Sequence, residues 1–113
     1  MEKMVKYREA ITQLLNEYLA SGTHKENPNV EEYVSFDTER DHYQLLSLGW
    51  ENGRRVYFCI LHFDIKGGKI WLQENNTDYD IISRLEQMGI AKSEIVIGFH
   101  PADVRGMSEF AAA

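Results

Sequence analysis

The sequence places side chains that could bind a cation around one predicted β-hairpin. His42 follows the carboxylate-rich run 37–41, and His62 and Asp64 lie further along the chain, separated by one residue. Carboxylates and imidazoles are the usual ligands of divalent cations. The spacing matches no known metal-binding loop. We therefore expect a solvated turn in which Asp37 caps its own backbone, with no metal and no cofactor.

The tripeptide Asp64-Ile65-Lys66 has the D-x-K form of restriction-type nucleases. In those enzymes a carboxylate binds magnesium, and a lysine polarises the attacking water or the phosphate. Alternation along a strand puts Asp64 and Lys66 on one face, and Asp41 or Asp37 would supply the second carboxylate. Because a three-residue match is common by chance, a metal-dependent nuclease-like subunit using Asp41, Asp64 and Lys66 is only the alternative interpretation.

Two further reactive side chains have simpler explanations. Cys59 is predicted in the middle of a strand facing the core, where a thiol behaves as a small hydrophobic group. His100 is expected to anchor the C-terminal tail through an ordinary hydrogen bond. The chain has no P-loop, C-x-x-C, H-E-x-x-H or G-x-G-x-x-G pattern. We therefore expect no catalytic residue and no enzymatic activity.

Hydrophobic periodicity and turn residues define the elements that position these groups. Apolar spacings of three and four predict a helix over 3–20 that stops at Gly22, and the polar run 23–29 predicts a loop. A second helix is predicted from an N-cap at Thr77 to a stop at Gly89. Strands are predicted at 30–36, 42–51, 54–66 and 69–75, with 95–99 as a fifth strand or an extended segment. This order predicts one α+β domain, 1–113, built on a four-stranded antiparallel meander.

The turns predict which side chains meet across the sheet. A two-residue type I′ turn at Asn52-Gly53 would make paired residue numbers sum to 105. The expected pairs are Leu48–Tyr57, Leu46–Cys59, His42–Phe63, Leu45–Ile60, Tyr43–His62 and Asp41–Asp64. A second such turn at Gly67-Gly68 gives Ile65–Ile70, Phe63–Leu72, Asp64–Trp71 and His62–Gln73.

These pairs divide the predicted sheet into two faces. One is apolar and should contact the helices: Leu46, Leu48, Cys59, Leu61, Phe63, Ile65, Ile70 and Leu72. The other is mixed: Tyr43, Leu45, Val56, Phe58, Ile60, His62, Asp64, Trp71 and Gln73. A half-apolar face needs a partial cover, either from the C-terminal tail or from another subunit.

Composition limits the class of protein. The chain has 113 residues and a formal net charge of −6. So acidic a domain should bind duplex DNA weakly or not at all. The single cysteine fits a reducing cytoplasm, and the apolar runs fall far short of the roughly 20 residues that cross a bilayer. We expect a cytoplasmic protein with no membrane contact.

Since neither catalysis nor DNA binding is expected, we expect this protein to act through contacts with other proteins. The candidate interaction surface comprises Trp71, Phe99, His100, Arg105 and Phe110, because aromatic and arginine side chains are typical interface anchors. The alternative is that the tail simply covers its own sheet. A homodimer is a further expectation.

Five short segments are the most specific pieces of the sequence: Asp41-His42-Tyr43-Gln44, Gly49-Trp50, Lys69-Ile70-Trp71, Gly98-Phe99-His100 and Glu109-Phe110-Ala111. Together they resemble the XisI family, the fdxN-element excision controlling factors of cyanobacteria. The resemblance extends from Tyr7 to Ala112. It implies a small α+β protein without an assigned catalytic site. It also implies an accessory factor for programmed DNA excision that works with a XisH-like protein and a site-specific recombinase.

Overall fold

A computed structural model describes residues 2–21 and 27–113 of the protein. Helix α1 spans Lys3–Ser21, as the apolar spacing predicts. Its buried stripe comprises Tyr7, Ala10, Ile11, Leu14, Leu15 and Tyr18. The predicted stop at Gly22 and positions 23–26 of the predicted loop lie outside the described residues.

The five strands form one sheet in the order β1-β2-β3-β4-β5. Their bounds are β1 Val30–Asp37, β2 His42–Glu51, β3 Arg54–Lys66, β4 Lys69–Asn75 and β5 Ile95–Ile97. Neighbours from β1 to β4 are antiparallel, whereas β5 lies parallel to β4. The α+β meander is therefore confirmed, and the fifth segment is a short strand.

Two glycine-containing turns connect the central strands. Asn52 and Gly53 have φ values of 53° and 76°, and Gly67 and Gly68 have values of 60° and 71°. Positive φ at both central residues is the type I′ geometry that matches the twist of a hairpin. Both predicted turns are confirmed.

A β-bulge changes the pairing of β2 with β3. Leu48 opposes Tyr57 and Leu46 opposes Cys59, as predicted, but the register shifts between Leu45 and Leu46. From there Leu45 opposes Leu61, because Ile60 is an extra residue in β3. The expected pairs His42–Phe63, Leu45–Ile60, Tyr43–His62 and Asp41–Asp64 are wrong for this reason. The observed pairs are His42–Asp64, Gln44–His62 and Tyr43–Phe63.

A second irregularity lies between β3 and β4. The predicted pairs Ile65–Ile70, Asp64–Trp71 and Phe63–Leu72 are confirmed. Beyond Phe63 the register shifts, so His62 opposes Glu74 rather than Gln73.

The first bulge also corrects the assignment of the two faces. Tyr43, Leu45 and Ile60, predicted on the mixed face, are buried in the core. By strand alternation, Val56 and Phe58 share the helix side, since they oppose Gly49 and Ser47. Leu46, Leu48 and Cys59, predicted to contact the helices, instead lie on the opposite side with His42, Gln44, His62, Asp64, Trp71 and Gln73. We call this side the open face.

The core joins α1 and the sheet to a second helix, α2, at Ile81–Gln87. Asp80 is its N-cap and accepts a hydrogen bond from the Ser83 backbone N–H. The predicted cap, Thr77, instead donates its hydroxyl to Asn75 Oδ1. A 3₁₀ turn, Lys92–Glu94, leads into β5. Tyr7 on α1 donates to Glu94 at 2.8 Å, so helix and turn are tied together.

The C-terminal segment returns to β5 and pairs with it through a parallel bridge between Val96 and Ala111. A short helix, α3, spans Ala102–Arg105, and the Ala111 backbone N–H then donates to the Ile95 carbonyl oxygen at 2.9 Å. Phe110 packs against the core. Among residues 2–21 and 27–113, no helix is long and apolar enough to cross a membrane.

Candidate functional site

Asp64 is the centre of a polar cluster on the open face. His42 Nδ1 and His62 Nε2 each lie 2.7 Å from Asp64 Oδ1. Strand alternation puts His62 and Asp64 on one side of β3, and the bulge brings His42 opposite Asp64. Without the bulge, His42 would pair with Phe63 and face the helices.

Two glutamines surround this cluster. Gln73 Nε2 donates to the second oxygen of Asp64 at 3.0 Å. Gln44 Nε2 lies 3.5 Å from His62 Nδ1. A Cβ at position 98 would overlap Gln73 Oε1, so Gly98 allows the close approach of β5 to this side chain. Both oxygens of Asp64 are thus held in place.

The Asp64 carboxyl is charged despite its burial. Burial acts to raise its pKa, but hydrogen bonds from His42, His62 and Gln73 outweigh it and lower the pKa below the ordinary value. The three ligand-capable atoms of His42, His62 and Asp64 lie within 4.8 Å of one another. Within the described part of the chain, this trio is the group of ligand-capable side chains close enough together to hold one metal ion.

Asp41 belongs to a different environment. Its carboxylate accepts from Arg8 Nε and Nη2, at 2.8 and 3.1 Å, and from the Tyr43 hydroxyl at 2.8 Å. The Arg8 hydrogen bonds hold the pKa of Asp41 below its usual range. Burial and Asp41 together raise the pKa of Tyr43 to about 12, so the phenol remains a donor. This cluster lies on the helix side.

The nuclease-like trio is therefore not brought together. Asp41 and Asp64 face opposite sides of the sheet, and Lys66 Nζ lies 3.9 Å from the centroid of the Trp71 ring. Asp37, the other candidate carboxylate, accepts from the Glu39 and Arg40 backbone N–H groups. This is the local turn capping that the sequence predicts.

Cys59 lies beside Leu46, as predicted, but on the open face, where it is half-buried. Its expected position in the helix-facing core is therefore wrong. Burial, with a contribution from Glu74, raises the pKa of the thiol. A thiol with a raised pKa is a poor nucleophile at neutral pH.

The predicted interaction residues separate into two groups. Arg105 stacks over Trp71, with 5.2 Å between the guanidinium carbon and the ring centroid, and donates to the carbonyl oxygens of His100 and Ala112. Phe110 packs inward. Phe99 and His100 are exposed. The tail thus covers the Trp71 end of the open face within the chain.

The other end of the open face is aromatic and partly exposed, and Arg55 lies over its Trp50 ring. It comprises Tyr33, Leu46, Leu48, Trp50, Tyr57 and Cys59, and we call it the aromatic patch. Strand pairing places Tyr33 beside Leu46 and Leu48 beside Tyr57. Trp50 and Tyr57 are 55% and 66% exposed.

Sequence reasoning missed Tyr33, Trp50 and Tyr57 as surface residues, and Gln44 and Gln73 as supports of the polar cluster. One signal was available for the patch. Leu45-Leu46 in β2 and Ile60-Leu61 in β3 each break the apolar alternation, and the two breaks oppose one another. The break in β3 marks the bulge, where Ile60 is the extra residue, whereas the break in β2 marks Leu46 and Leu48 on the open face.

Comparison with known proteins identifies close structural relatives. A XisI-like protein from Anabaena variabilis ATCC 29413 is 39% identical, with a TM-score of 0.90, over 97% of this chain and 99% of its own. The fdxN element excision controlling factor XisI from the same organism is 34% identical, with a TM-score of 0.84, over 99% and 100% of the two chains. No protein among the curated ones compared matches the chain.

The family described as XisI protein matches residues 1–112. The match includes the helix, the whole sheet and the C-terminal segment. The chain belongs to the XisI family.

Proposed function

We propose that this protein is a cytoplasmic accessory factor for programmed excision of a DNA element, acting through protein partners and not by catalysis. The observation that carries the proposal is the family match over residues 1–112. It is joined by the similarity, over the full length of both chains, to a protein described as the fdxN element excision controlling factor.

Charge supports a protein partner over direct DNA binding. The net charge of −6 opposes approach to a phosphate backbone. The pair Arg54-Arg55 stands at the tip of the β2–β3 hairpin, and the Arg55 guanidinium carbon lies 5.6 Å from the Trp50 ring centroid. A single cationic tip would neutralise few phosphates, so DNA contact by this chain alone would be weak and salt-sensitive.

The aromatic patch is the surface that fits a partner. Large exposed aromatic side chains grouped on one sheet face are costly to hydrate, at about 25 cal/mol per Å² of apolar surface. Aromatic anchors beside an arginine are the typical composition of a binding hot spot. The partner that the family resemblance implies is a XisH-like protein, with a site-specific recombinase as the further component of the system. A second copy of this chain is the competing occupant.

Co-purification tests the partner directly. This chain and the XisH-like protein encoded in the same genome would be co-expressed with a tag on one only. We expect a complex that survives gel filtration, and we expect Tyr57→Ala with Trp50→Ala to abolish it. Tyr79→Ala is the matched control, because Tyr79 is an exposed aromatic residue outside the sheet.

Each result of this experiment has a clear meaning. Loss of the complex only in the patch variant supports the proposal. An intact complex in that variant would assign the contact elsewhere, and self-association without the second protein would favour the homodimer. Absence of any complex, together with unchanged excision of a plasmid-borne element when this chain is omitted, would refute the accessory role.

A further inference from the structure

We propose that His42, His62 and Asp64 bind one divalent transition-metal ion, with Zn²⁺ as the preferred ion, on the open face. All three belong to the paired strands β2 and β3, and His42 opposes Asp64 and Gln44 opposes His62 in that pairing. Two imidazoles and one carboxylate are a common set of three protein ligands for zinc, which leaves a fourth position for water or an incoming group.

The ligand atoms already converge. His42 Nδ1 and His62 Nε2 each lie 2.7 Å from Asp64 Oδ1. Zinc bonds of about 2.0–2.1 Å in tetrahedral geometry require ligand atoms about 3.3 Å apart. To admit the ion, small ring rotations must move each nitrogen about 0.6 Å further from Asp64 Oδ1. The two nitrogens, which lie within 4.8 Å of one another, must reach the same spacing. The ion would replace the two imidazole protons that now bridge to the carboxylate.

The second layer of contacts fits the same assignment. Metal-ligating carboxylates and imidazoles usually have a partner on their remaining polar atom. Gln73 holds the other oxygen of Asp64 at 3.0 Å. Gln44 lies 3.5 Å from His62 Nδ1, and a flip of its amide would present Oε1 to accept from that nitrogen.

Two further features favour a cation. Among the described residues, Asp64 forms no ion pair with a lysine or arginine, in contrast to Asp37 and Asp41. The nearby Lys66 and Arg105 lie over Trp71 instead. His42 keeps half of its side chain exposed, which provides the route of entry from solvent. Nitrogen ligands select zinc, cobalt or nickel over magnesium and calcium.

Titration of the metal-free, untagged full-length protein with CoCl₂ and ZnCl₂ tests the site. We expect one equivalent of Co²⁺ to bind, with visible absorption of a four- or five-coordinate ion and no thiolate charge-transfer band. Zinc should displace the cobalt. Binding of less than one equivalent, or a thiolate band indicating coordination by Cys59, would overturn the assignment.

Variants locate the ion, and NMR does so without any mutation. His62→Gln and Asp64→Asn should each weaken Co²⁺ binding about tenfold or more, whereas His100→Ala, in the tail, should leave it unchanged. In the unaltered protein, one equivalent of Zn²⁺ should shift the imidazole ¹⁵N resonances of His42 and His62 but not those of His100. Equal affinity in all variants, or a shift confined to His100, would refute the site.

Discussion

Asp41 and Asp64 are two buried carboxylates at the same end of the sheet, and their partners differ completely. Arg8 and Tyr43 bind Asp41 from the helix side. His42, His62 and Gln73 bind Asp64 on the open face. A guanidinium stays charged at any physiological pH, whereas an imidazole can release its proton to make way for a metal.

The difference separates a structural role from a binding role. The Arg8–Asp41 pair joins α1 to the turn before β2, and Asp41 itself has a φ of 60°, so this turn is fixed by side-chain bonds. The side chains of the Asp64 cluster connect only neighbouring strands, which the backbone hydrogen bonds of the sheet already join. We therefore expect loss of Asp41 to affect folding most, and loss of Asp64 to affect binding most.

Asp41→Asn should be the most destabilising of the substitutions considered. Asparagine tolerates the positive φ of this position. Its NH₂ group, however, cannot accept the hydrogen bonds that Arg8 and Tyr43 donate to the carboxylate, so buried donors are left without an acceptor. We expect a loss of about 3 kcal/mol in the free energy of unfolding and a Tm about 10 °C lower. Urea denaturation measures it, with the exposed Asp78→Asn as control. A loss no larger than that of the control would contradict the structural role.

Acidification should remove part of the same stabilisation. Because the folded-state pKa values of Asp41 and Asp64 are lowered, their contribution is complete above the unfolded carboxyl pKa of about 4 and is lost as pH falls through the folded values. The wild type should lose stability more steeply than Asp41→Asn below pH 4. Parallel urea midpoints for both proteins between pH 2 and pH 6 would contradict this expectation.

The secondary structure could be predicted because local signals decide it. The type I′ turn residues Asn52-Gly53 and Gly67-Gly68 fix both hairpins, and the apolar periodicity of α1 fixes its buried stripe. These features depend on neighbours in the sequence and on no distant contact.

The faces of the central strands could not be predicted from the turn alone. A single extra residue, Ile60, shifts His42 from opposite Phe63 to opposite Asp64 and moves Leu46 to the open face. When residue pairs are counted outward from the turn, one extra residue changes every pair beyond it. Because side chains alternate with a period of two, the same extra residue also exchanges the two faces of the strand beyond that point. The counted register therefore places His42 on the face opposite to His62 and Asp64, whereas the bulge brings all three to one face.

Asp64→Asn should have a smaller effect on stability than Asp41→Asn, and a larger effect on metal binding. The asparagine oxygen still accepts from one histidine, and His42 is partly hydrated, so about 1 kcal/mol of stability is at stake. Thermal unfolding of both variants without metal should rank Asp41→Asn as less stable. The reverse ranking would overturn the division between a structural and a binding carboxylate.

Gly98→Ala should have the smallest effect on stability of these substitutions. It tests separately whether the Asp64 cluster serves metal binding while the Asp41 cluster serves folding. The added Cβ would overlap Gln73 Oε1, so the glutamine must move and its bond to Asp64 must lengthen, while the Asp41 cluster is untouched. We expect a Tm change of about 2–4 °C and a few-fold loss of Co²⁺ affinity. Gly106→Ala is the matched control, because a Cβ there contacts nothing. Unchanged affinity in Gly98→Ala would show that Gln73 does not orient Asp64 for metal binding.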